Sequence, residues 1–265
     1  MHSHQLRRRL RRPVLALTIC SLMAAGIACA DDVNVAVAAN FLGTLQKLAP
    51  AFAQSSGHQL VISSASSGQL YAQIRQGAPY DVFLSADSAR PKQLESEGLA
   101  VAGSRFTYAI GTLVLWSPRE AIVDPECKVL RGTQWHMLAV ADPTTAPYGT
   151  AAQQVLTAMG LWDGLNSAHR IAIAQDINQS FQFASSGNAD MGFIAKSQLA
   201  GRPAGQSAAG SSCEPPSSQY SEIAQDAIVL AHASHAAAAQ AFMHWLAADP
   251  TALAAIRTAG YRVRE

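Results

Sequence analysis

Four short turns in the sequence place hydrogen-bond donors where a strand-like run leads into a helical pattern. The first N–H groups of a helix have no intrahelical partner, and the helix dipole adds about half a positive charge at that end. Serine and asparagine side chains can supply further donors at the same place. The turns are Asn40, Ser66-Ser67-Gly68, Pro147-Tyr148-Gly149 and Asp176-Ile177-Asn178.

These turns are suited to holding an anion. In open α/β sheets, ligands bind at the carboxyl ends of the strands, so four turns at such ends could surround one ligand. None of the turns contains Lys or Arg, and helix N-termini can hold an anion without them. For any single turn, ordinary helix capping is the main alternative. Capping is less attractive for Tyr148-Gly149, which has no capping side chain at the expected place.

Catalysis and metal binding have little support in the sequence. It contains no G-x-S-x-G nucleophile elbow and no Walker-type phosphate loop. His232 and His235 have the spacing of a metal pair, but they straddle a strand end and a helix start, and we interpret them as surface residues. We interpret Asp176 as a residue that caps a helix or orients a ring, in preference to a catalytic residue. A secreted hydrolase with Ser67 as nucleophile stays open as an alternative, because spatial neighbours cannot be read from the sequence.

Strand and helix patterns alternate along the chain after residue 30. This alternation indicates an α/β fold with parallel sheets and flanking helices. The run FTYAIGTLVLW (106–116) is long and apolar enough to continue from one lobe into another. Pro50 stands inside the first helical stripe and predicts a kink or an early end there. The strand-like runs are VNVAVAA (33–39), QLVIS (59–63), YDVFLSA (80–86), MLAVAD (137–142), RIAIA (170–174), DMGFIA (190–195) and DAIVLAH (226–232).

Residues 1–30 have the pattern of a cleaved export signal. Five arginines precede the apolar run VLALTICSLMAAGIA, and Ala28-Cys29-Ala30 has the small-x-small form of a cleavage site. The segment holds five of the 19 basic residues and none of the 18 acidic ones, so the mature chain has a formal charge of about −4. This charge gives no support to a nucleic-acid partner. We expect a mature protein that starts at Asp31 and is located in the periplasm.

Two cysteines remain after that cleavage, Cys127 and Cys213. An oxidising compartment permits a disulfide between them. The sequence does not decide between a disulfide and two separate thiols.

Five longer stretches carry a resemblance to a known family. The stretches are VAVAANFLGTLQKLAPAF, VISSASSGQLYAQIRQGAPYDVFLSAD, SRFTYAIGTLVLWS, VADPTTAPYGTAAQQVL and GNADMGFIAKSQLA. In these, GAPYDVFLSAD and DPxxxPYG are specific to the family. The chain resembles the periplasmic molybdate-binding proteins of molybdate ABC importers over almost all of residues 31–265.

The resemblance implies a two-lobed periplasmic binding protein fold of the α/β class. Each lobe would be a mainly parallel sheet flanked by helices, with the ligand cleft between the lobes. Lobe 1 would comprise residues 31–110 and 226–265, and lobe 2 residues 111–225. The protein would be a monomeric binding protein without enzymatic activity or cofactor, which passes its ligand to a membrane permease.

The ligand implied by the resemblance is molybdate or tungstate, with molybdenum present only as the bound oxyanion. By position, the binding residues are Asn40 and Ser67, with Tyr148 and Ile177 acting mainly through backbone N–H groups. Ala39, which stands where relatives have Thr, is a further candidate through its backbone. Hydrogen phosphate is disfavoured because a ring of donors leaves its proton unmatched. Another tetrahedral oxyanion such as sulfate remains the alternative, although its smaller size keeps it from reaching all donors together.

Overall fold

The computed structural model describes residues 31–200 and 210–264, which form two α/β units, each built on a five-stranded sheet. The predicted export signal lies outside the described residues. The strands are β1 (Asp32–Ala38), β2 (Gln59–Ala65), β3 (Val82–Leu84), β4 (Phe106–Gly111), β5 (Leu113–Ser117), β6 (Leu138–Ala141), β7 (Ile171–Ala174), β8 (Met191–Ala195), β9 (Ser211–Cys213) and β10 (Ile223–Val229).

Nine α-helices and three short 3-10 turns are found within the described ranges. None of these helices has the length and apolarity needed to span a membrane. The helices are α1 (Leu42–Ser56), α2 (Ser67–Arg75), α3 (Ala89–Ser96), α4 (Pro147–Ala158), α5 (Trp162–Ser167), α6 (Ile177–Ser185), α7 (Ser197–Ala200), α8 (Ala236–Ala248) and α9 (Pro250–Thr258). The 3-10 turns are Ala39–Phe41, Lys128–Arg131 and Ser217–Gln219.

The two sheets repeat one topology. Lobe 1 contains the sheet in the order β2-β1-β3-β10-β4, and lobe 2 contains the sheet in the order β7-β6-β8-β5-β9. In each, the second strand of that order (β1 or β6) pairs in parallel with both of its neighbours, and the remaining pairings are antiparallel. Parallel pairing therefore makes up half of each sheet, less than the mainly parallel arrangement expected from the sequence.

The reversed strands are those that arrive from the opposite lobe. β5 enters lobe 2 from lobe 1, and β10 enters lobe 1 from lobe 2, so both run against the strands whose carboxyl ends face the other lobe. Because β5 and β10 are reversed, each pairs in antiparallel fashion with both of its neighbours. Residue 112 alone separates β4 from β5, and β10 begins with Ile223 opposite Gly111. The predicted lobe boundaries at 110/111 and 225/226 lie near these strands. The boundaries themselves remain a prediction.

Each sheet is covered by buried apolar side chains. In lobe 1, α1, α8 and α9 pack on one face around Phe52, Phe242 and Leu246, and α2 and α3 cover the other face. In lobe 2 the larger core surrounds β6 and contains Trp135 and Phe193. These cores hold the carboxyl ends of the strands in fixed positions, and those ends are where the predicted turns lie.

Of the two outcomes expected at Pro50, an early end of the helix is wrong, and a kink stays a prediction. Helix α1 continues through Pro50 to Ser56. The proline lies on the exposed side of the helix, whereas Leu45, Leu48 and Phe52 on the opposite side are buried in lobe 1. Packing of that apolar side compensates for the hydrogen bond that proline cannot donate.

Cys127 and Cys213 form a disulfide, with their Cα atoms 5.6 Å apart. It joins the segment before the 3-10 turn Lys128–Arg131 to strand β9. Of the Gly/Ser/Pro-rich segment that the sequence suggests as a surface loop (201–218), residues 201–209 lie outside the described residues. The remainder includes β9, which pairs with β5.

Candidate functional site

A small cavity of about 10 Å³ lies between the lobes. It is found at the carboxyl ends of β1 and β2 in lobe 1 and of β6 and β7 in lobe 2. The five residues proposed from the sequence all line this one cavity, so the structure brings the four predicted turns together. The lining residues are Ala38, Ala39, Asn40, Ser66, Ser67, Ala86, Ala146, Pro147, Tyr148, Asp176 and Ile177.

Each lobe directs two helix N-termini toward the cavity. In lobe 1 these are the 3-10 turn Ala39–Phe41, which continues into α1, and helix α2, which begins at Ser67. In lobe 2 they are α4, which begins at Pro147, and α6, which begins at Ile177. The N–H groups of these first turns have no intrahelical acceptor, and the helix dipoles favour negative charge beside them.

Ser66 and Ser67 have different roles although they are neighbours. Ser66 caps α2: its Oγ accepts the N–H of Gln69 at 3.4 Å, and the Gln69 side chain accepts the N–H of Ser66 at 3.2 Å. Ser67 Oγ instead accepts the N–H of Ala86 at 2.9 Å. The hydroxyl proton of Ser67 therefore remains available for a ligand, and of these two serines only Ser66 is a helix cap.

The Asn40 side chain is already engaged inside the protein. Its Nδ2 donates to Gln225 Oε1 at 2.8 Å and to the Tyr261 hydroxyl at 3.1 Å, which uses both amide hydrogens. Its carbonyl oxygen accepts the Tyr261 hydroxyl at 2.7 Å. The sequence suggested that the Asn40 amide adds a donor to the site. In this arrangement the backbone N–H is the donor that Asn40 retains.

Tyr148 and Ile177 line the cavity, and both side chains are buried in the core that surrounds β6. Burial raises the pKa of Tyr148 well above its ordinary value, so its hydroxyl stays neutral. A Cβ atom at Gly149 would collide with the carbonyl oxygen of Ala141 at the end of β6. Glycine at that position lets the first turn of α4 lie directly on the strand end.

Asp176 is the one carboxylate in the described lining. Its Oδ1 accepts the N–H of Gln179 at 2.9 Å and caps α6, as the sequence predicted. Among the lining residues that the structure describes, none is Lys, Arg or His. The cavity therefore offers neutral donors, with one carboxylate that is turned toward its own helix.

Hydrogen bonds between the lobes close the space around the cavity. The N–H of Gly68 in lobe 1 donates to the carbonyl of Thr145 in lobe 2 at 2.8 Å, and Asn178 Nδ2 in lobe 2 donates to Ala39 O at 3.0 Å. Arg90 Nη2 reaches the carbonyl of Thr144 at 3.1 Å. A Cβ atom at Gly68 would lie 2.9 Å from Thr145 Cα, so only glycine permits this approach.

Of the two histidines considered for metal binding, His235 is in contact with a carboxylate. His235 approaches Asp81 through its N–H at 3.1 Å and through Nδ1 at 3.2 Å. Burial acts to raise the pKa of Asp81, but the N–H groups of Asn34 and His235 outweigh it and lower the pKa overall. Over residues 31–200 and 210–264, no group of three or more His, Cys, Asp or Glu side chains is placed to hold a metal ion.

Sequence reasoning did not find the residues behind and beside the cavity. Gln225 and Tyr261 hold Asn40 from distant parts of the chain, and Thr144 and Thr145 contact lobe 1 through carbonyl oxygens. Every residue has a backbone carbonyl, so a contact made by this group cannot be predicted from the residue type. The only usable signal was Gly68 in the serine-rich turn, where a small residue permits close approach of another backbone.

Comparisons with known proteins agree with this architecture. A family model described as bacterial extracellular solute-binding protein matches residues 33–262. The chain is 41% identical over 250 residues to a molybdate-binding protein ModA of Azotobacter vinelandii, covering 93% of this chain and 97% of that protein. It is 43% identical over 234 residues to one of Rhodobacter capsulatus, covering 88% and 89%. A solved Azotobacter vinelandii periplasmic molybdate-binding protein matches with a TM-score of 0.85 at 46% identity, covering 88% of this chain and 100% of that one.

Proposed function

The chain belongs to the family of bacterial extracellular solute-binding proteins, and we propose that it captures molybdate or tungstate and delivers it to an ABC importer. The resemblance seen in the sequence and the two-lobed α/β fold are both confirmed by the comparisons. One observation carries the proposal for this chain. Four helix N-termini, two from each lobe, meet at one small cavity whose described lining contains no basic side chain.

The donors proposed for the anion are one hydroxyl and a set of backbone N–H groups. Ser67 contributes its hydroxyl, because its oxygen already accepts the N–H of Ala86. Asn40, Tyr148 and Ile177 contribute backbone N–H groups from first helical turns. Ala39 is a further backbone candidate. Hydrogen bonds to a charged partner contribute about 1.5–3 kcal/mol each, so a few such donors suffice for tight binding.

The charge of the ligand is balanced without a cation in the wall. Each helix N-terminus carries roughly half a positive charge, so four of them together match roughly the charge of a dianion. Because these partial charges are fixed in the backbone, they do not reorganise or titrate when the ligand binds. A fully deprotonated tetrahedral dianion accepts at every oxygen and matches a wall of donors.

The expected selectivity depends on two properties of the anion, namely its protonation and its size. Hydrogen phosphate needs an acceptor for its proton, whereas the groups proposed to hold the anion are all donors. Sulfate matches in charge but is smaller than molybdate, so it would not reach donors of both lobes at once. Sulfate is thus the second candidate ligand, and the names of the 41–43% identical relatives favour molybdate over it.

A hydrolytic function of Ser67 has less support. An activated serine requires a general base within hydrogen-bond reach. Ser67 Oγ is instead held by the backbone of Ala86, and no histidine occurs among the described lining residues. The 41–43% identical relatives are named as binding proteins. We therefore propose a binding protein that needs no cofactor.

Export and delivery form the remaining part of the proposal. The Cys127–Cys213 disulfide is consistent with an oxidising compartment such as the periplasm, which the leader pattern also favours. A monomer in which the two lobes enclose the anion would present it to a membrane permease, and the permease would admit it when the lobes separate.

Calorimetric titration of the ligand-free mature protein tests this function. We expect one molybdate or one tungstate per protein, with sulfate and phosphate binding far more weakly. A preference for sulfate would replace the proposed ligand by its alternative. Absence of binding to all four anions would reject the function, and an esterase activity that disappears in Ser67→Ala would establish the hydrolase.

A further inference from the structure

Gln225 is a fully buried polar residue at the junction of the two lobes. It lies on β10 opposite Ala109 of β4, and these two strands carry the chain between the lobes. It is not among the residues that line the cavity. Its position is therefore at the hinge, which we define as residues 111–113 together with the start of β10.

The amide of Gln225 bonds to one cavity residue from each lobe. Its Oε1 accepts Asn40 Nδ2 at 2.8 Å and the Tyr108 hydroxyl at 3.0 Å, both in lobe 1. Its Nε2 donates to the Tyr148 hydroxyl of lobe 2 at 3.3 Å. Every polar atom of this buried side chain thus has a partner while the lobes are together.

The side chain of Tyr148 extends from the cavity to the hinge. Tyr148 is one of the residues that line the cavity, and its hydroxyl reaches the hinge beside Gly111. A Cβ atom at Gly111 would collide with that hydroxyl oxygen and would lie 2.7 Å from Gln225 Nε2. The hinge therefore has space for the tyrosine only because residue 111 has no side chain.

We infer that Gln225 is a positioning residue that couples closure of the lobes to retention of the anion, an inference that rests on the proposed function. When the lobes separate, Tyr148 moves away from Asn40, and the buried amide cannot keep both partners. An unpaired buried polar group is unfavourable, so this network favours the closed arrangement in which the donors surround the ligand. Gln225 acts through Asn40 and Tyr148 and does not contact the anion.

The variant Gln225→Met tests this role, because methionine has a similar length and makes no comparable hydrogen bonds. We expect the affinity for molybdate to fall about 5- to 30-fold, as for the loss of one to two kcal/mol. Most of the change should appear as faster dissociation, measured by stopped-flow tryptophan fluorescence. The matched control is Ser117→Ala, which loses a buried hydrogen bond of 2.7 Å to Asp190 O in lobe 2, away from the cavity. The control should lower the melting temperature but leave the dissociation rate unchanged.

A double-mutant cycle with Tyr148→Phe separates coupling from general destabilisation. Tyr148→Phe removes only the hydroxyl and should speed dissociation about threefold. If Gln225 acts through that hydroxyl, the double variant should lose less affinity than the two single losses combined. Additive losses overturn the coupling. If Gln225→Met does not fold, Tyr148→Phe still decides, since an unchanged dissociation rate contradicts the inference.

The outcomes distinguish this inference from the proposed function. Wild-type protein that binds molybdate tightly, together with Gln225→Met at wild-type affinity, overturns the inference alone. Wild-type protein that binds neither molybdate nor tungstate overturns the proposed function and the inference with it.

Discussion

The two lobes build their halves of the cavity on the same topology but from different chemical groups. In lobe 1, β1 and β2 lead into Asn40 and Ser67, polar residues whose side chains take part in specific hydrogen bonds. In lobe 2, the corresponding strands β6 and β7 lead into Tyr148 and Ile177, whose side chains are buried in the lobe core. In the proposed site, lobe 1 therefore supplies one side-chain donor, the Ser67 hydroxyl, beside backbone N–H groups, whereas lobe 2 supplies backbone N–H groups alone.

This difference indicates which lobe should tolerate substitutions in the site. A backbone N–H is present whatever the side chain, so lobe 2 should keep its donors as long as its helices begin in the same place. A serine hydroxyl is lost with the side chain, so lobe 1 should be sensitive to single substitutions. The lobes also differ in covalent support, because both described cysteines and their disulfide belong to lobe 2.

The largest expected effect concerns that disulfide. Replacing Cys127 and Cys213 by serine opens a loop with a sequence separation of 86 residues, which is nominally worth about 4–5 kcal/mol of unfolding free energy in the chain-entropy description. Urea unfolding should show the loss, whereas molybdate binding at low temperature should persist because neither cysteine lines the cavity. An unchanged unfolding midpoint would show that lobe 2 does not depend on this bond.

Ser67→Ala should have the largest effect on binding. It removes the proposed hydroxyl donor and also leaves the N–H of Ala86 without its acceptor. The loss of a charge-assisted hydrogen bond, about 1.5–3 kcal/mol, corresponds to a roughly 10- to 150-fold weaker affinity in calorimetry. Ser66→Ala is the matched neighbour, since it removes a helix cap and should lower stability by about 1 kcal/mol with a smaller loss of affinity. Equal losses for both serines would contradict the assignment.

Ile177→Pro tests the backbone half of the cavity. Proline at the first position of a helix is well tolerated, and Asp176 already has the extended conformation (φ −153, ψ 179) that a residue before proline prefers. The variant removes one N–H, so we expect at least about a tenfold loss of affinity. Ile177→Ala loses the buried side chain but keeps the N–H, and it should bind within about threefold of wild type if its fold is intact. If both variants bind alike, Ile177 N–H is not a ligand.

The smallest effect is expected for Asp176→Asn. Asparagine caps a helix about as well as aspartate, so α6 should begin at the same residue. The substitution removes the one negative charge of the described lining, and the affinity for a dianion should rise by up to about threefold, less than 1 kcal/mol. Calorimetry at low and high salt should show the gain shrinking as salt increases. Weaker binding would instead mean that the carboxylate positions α6.

The sequence predicted the turns of the site better than the helix and strand arrangement around them. The four turns were found because a donor-rich entrance is a property of a few consecutive residues after a strand. The early helix end expected at Pro50 was wrong because a helix held by Leu45, Leu48 and Phe52 on its buried side can lose one hydrogen bond on its exposed side. The expectation of mainly parallel sheets overlooked the reversal of strands that arrive from the other lobe.

Sequence alone determined the identity and the local conformation of the donors, because helix N-termini, caps and strand ends arise from neighbouring residues. Only the tertiary structure decided which donors remain for a ligand. Asn40 loses its amide hydrogens to Gln225 and Tyr261, which are 185 and 221 residues away, and Ser67 is distinguished from Ser66 by the N–H of Ala86. Partners so distant leave no local pattern in the chain, since they meet only when both sheets have folded and the lobes have come together.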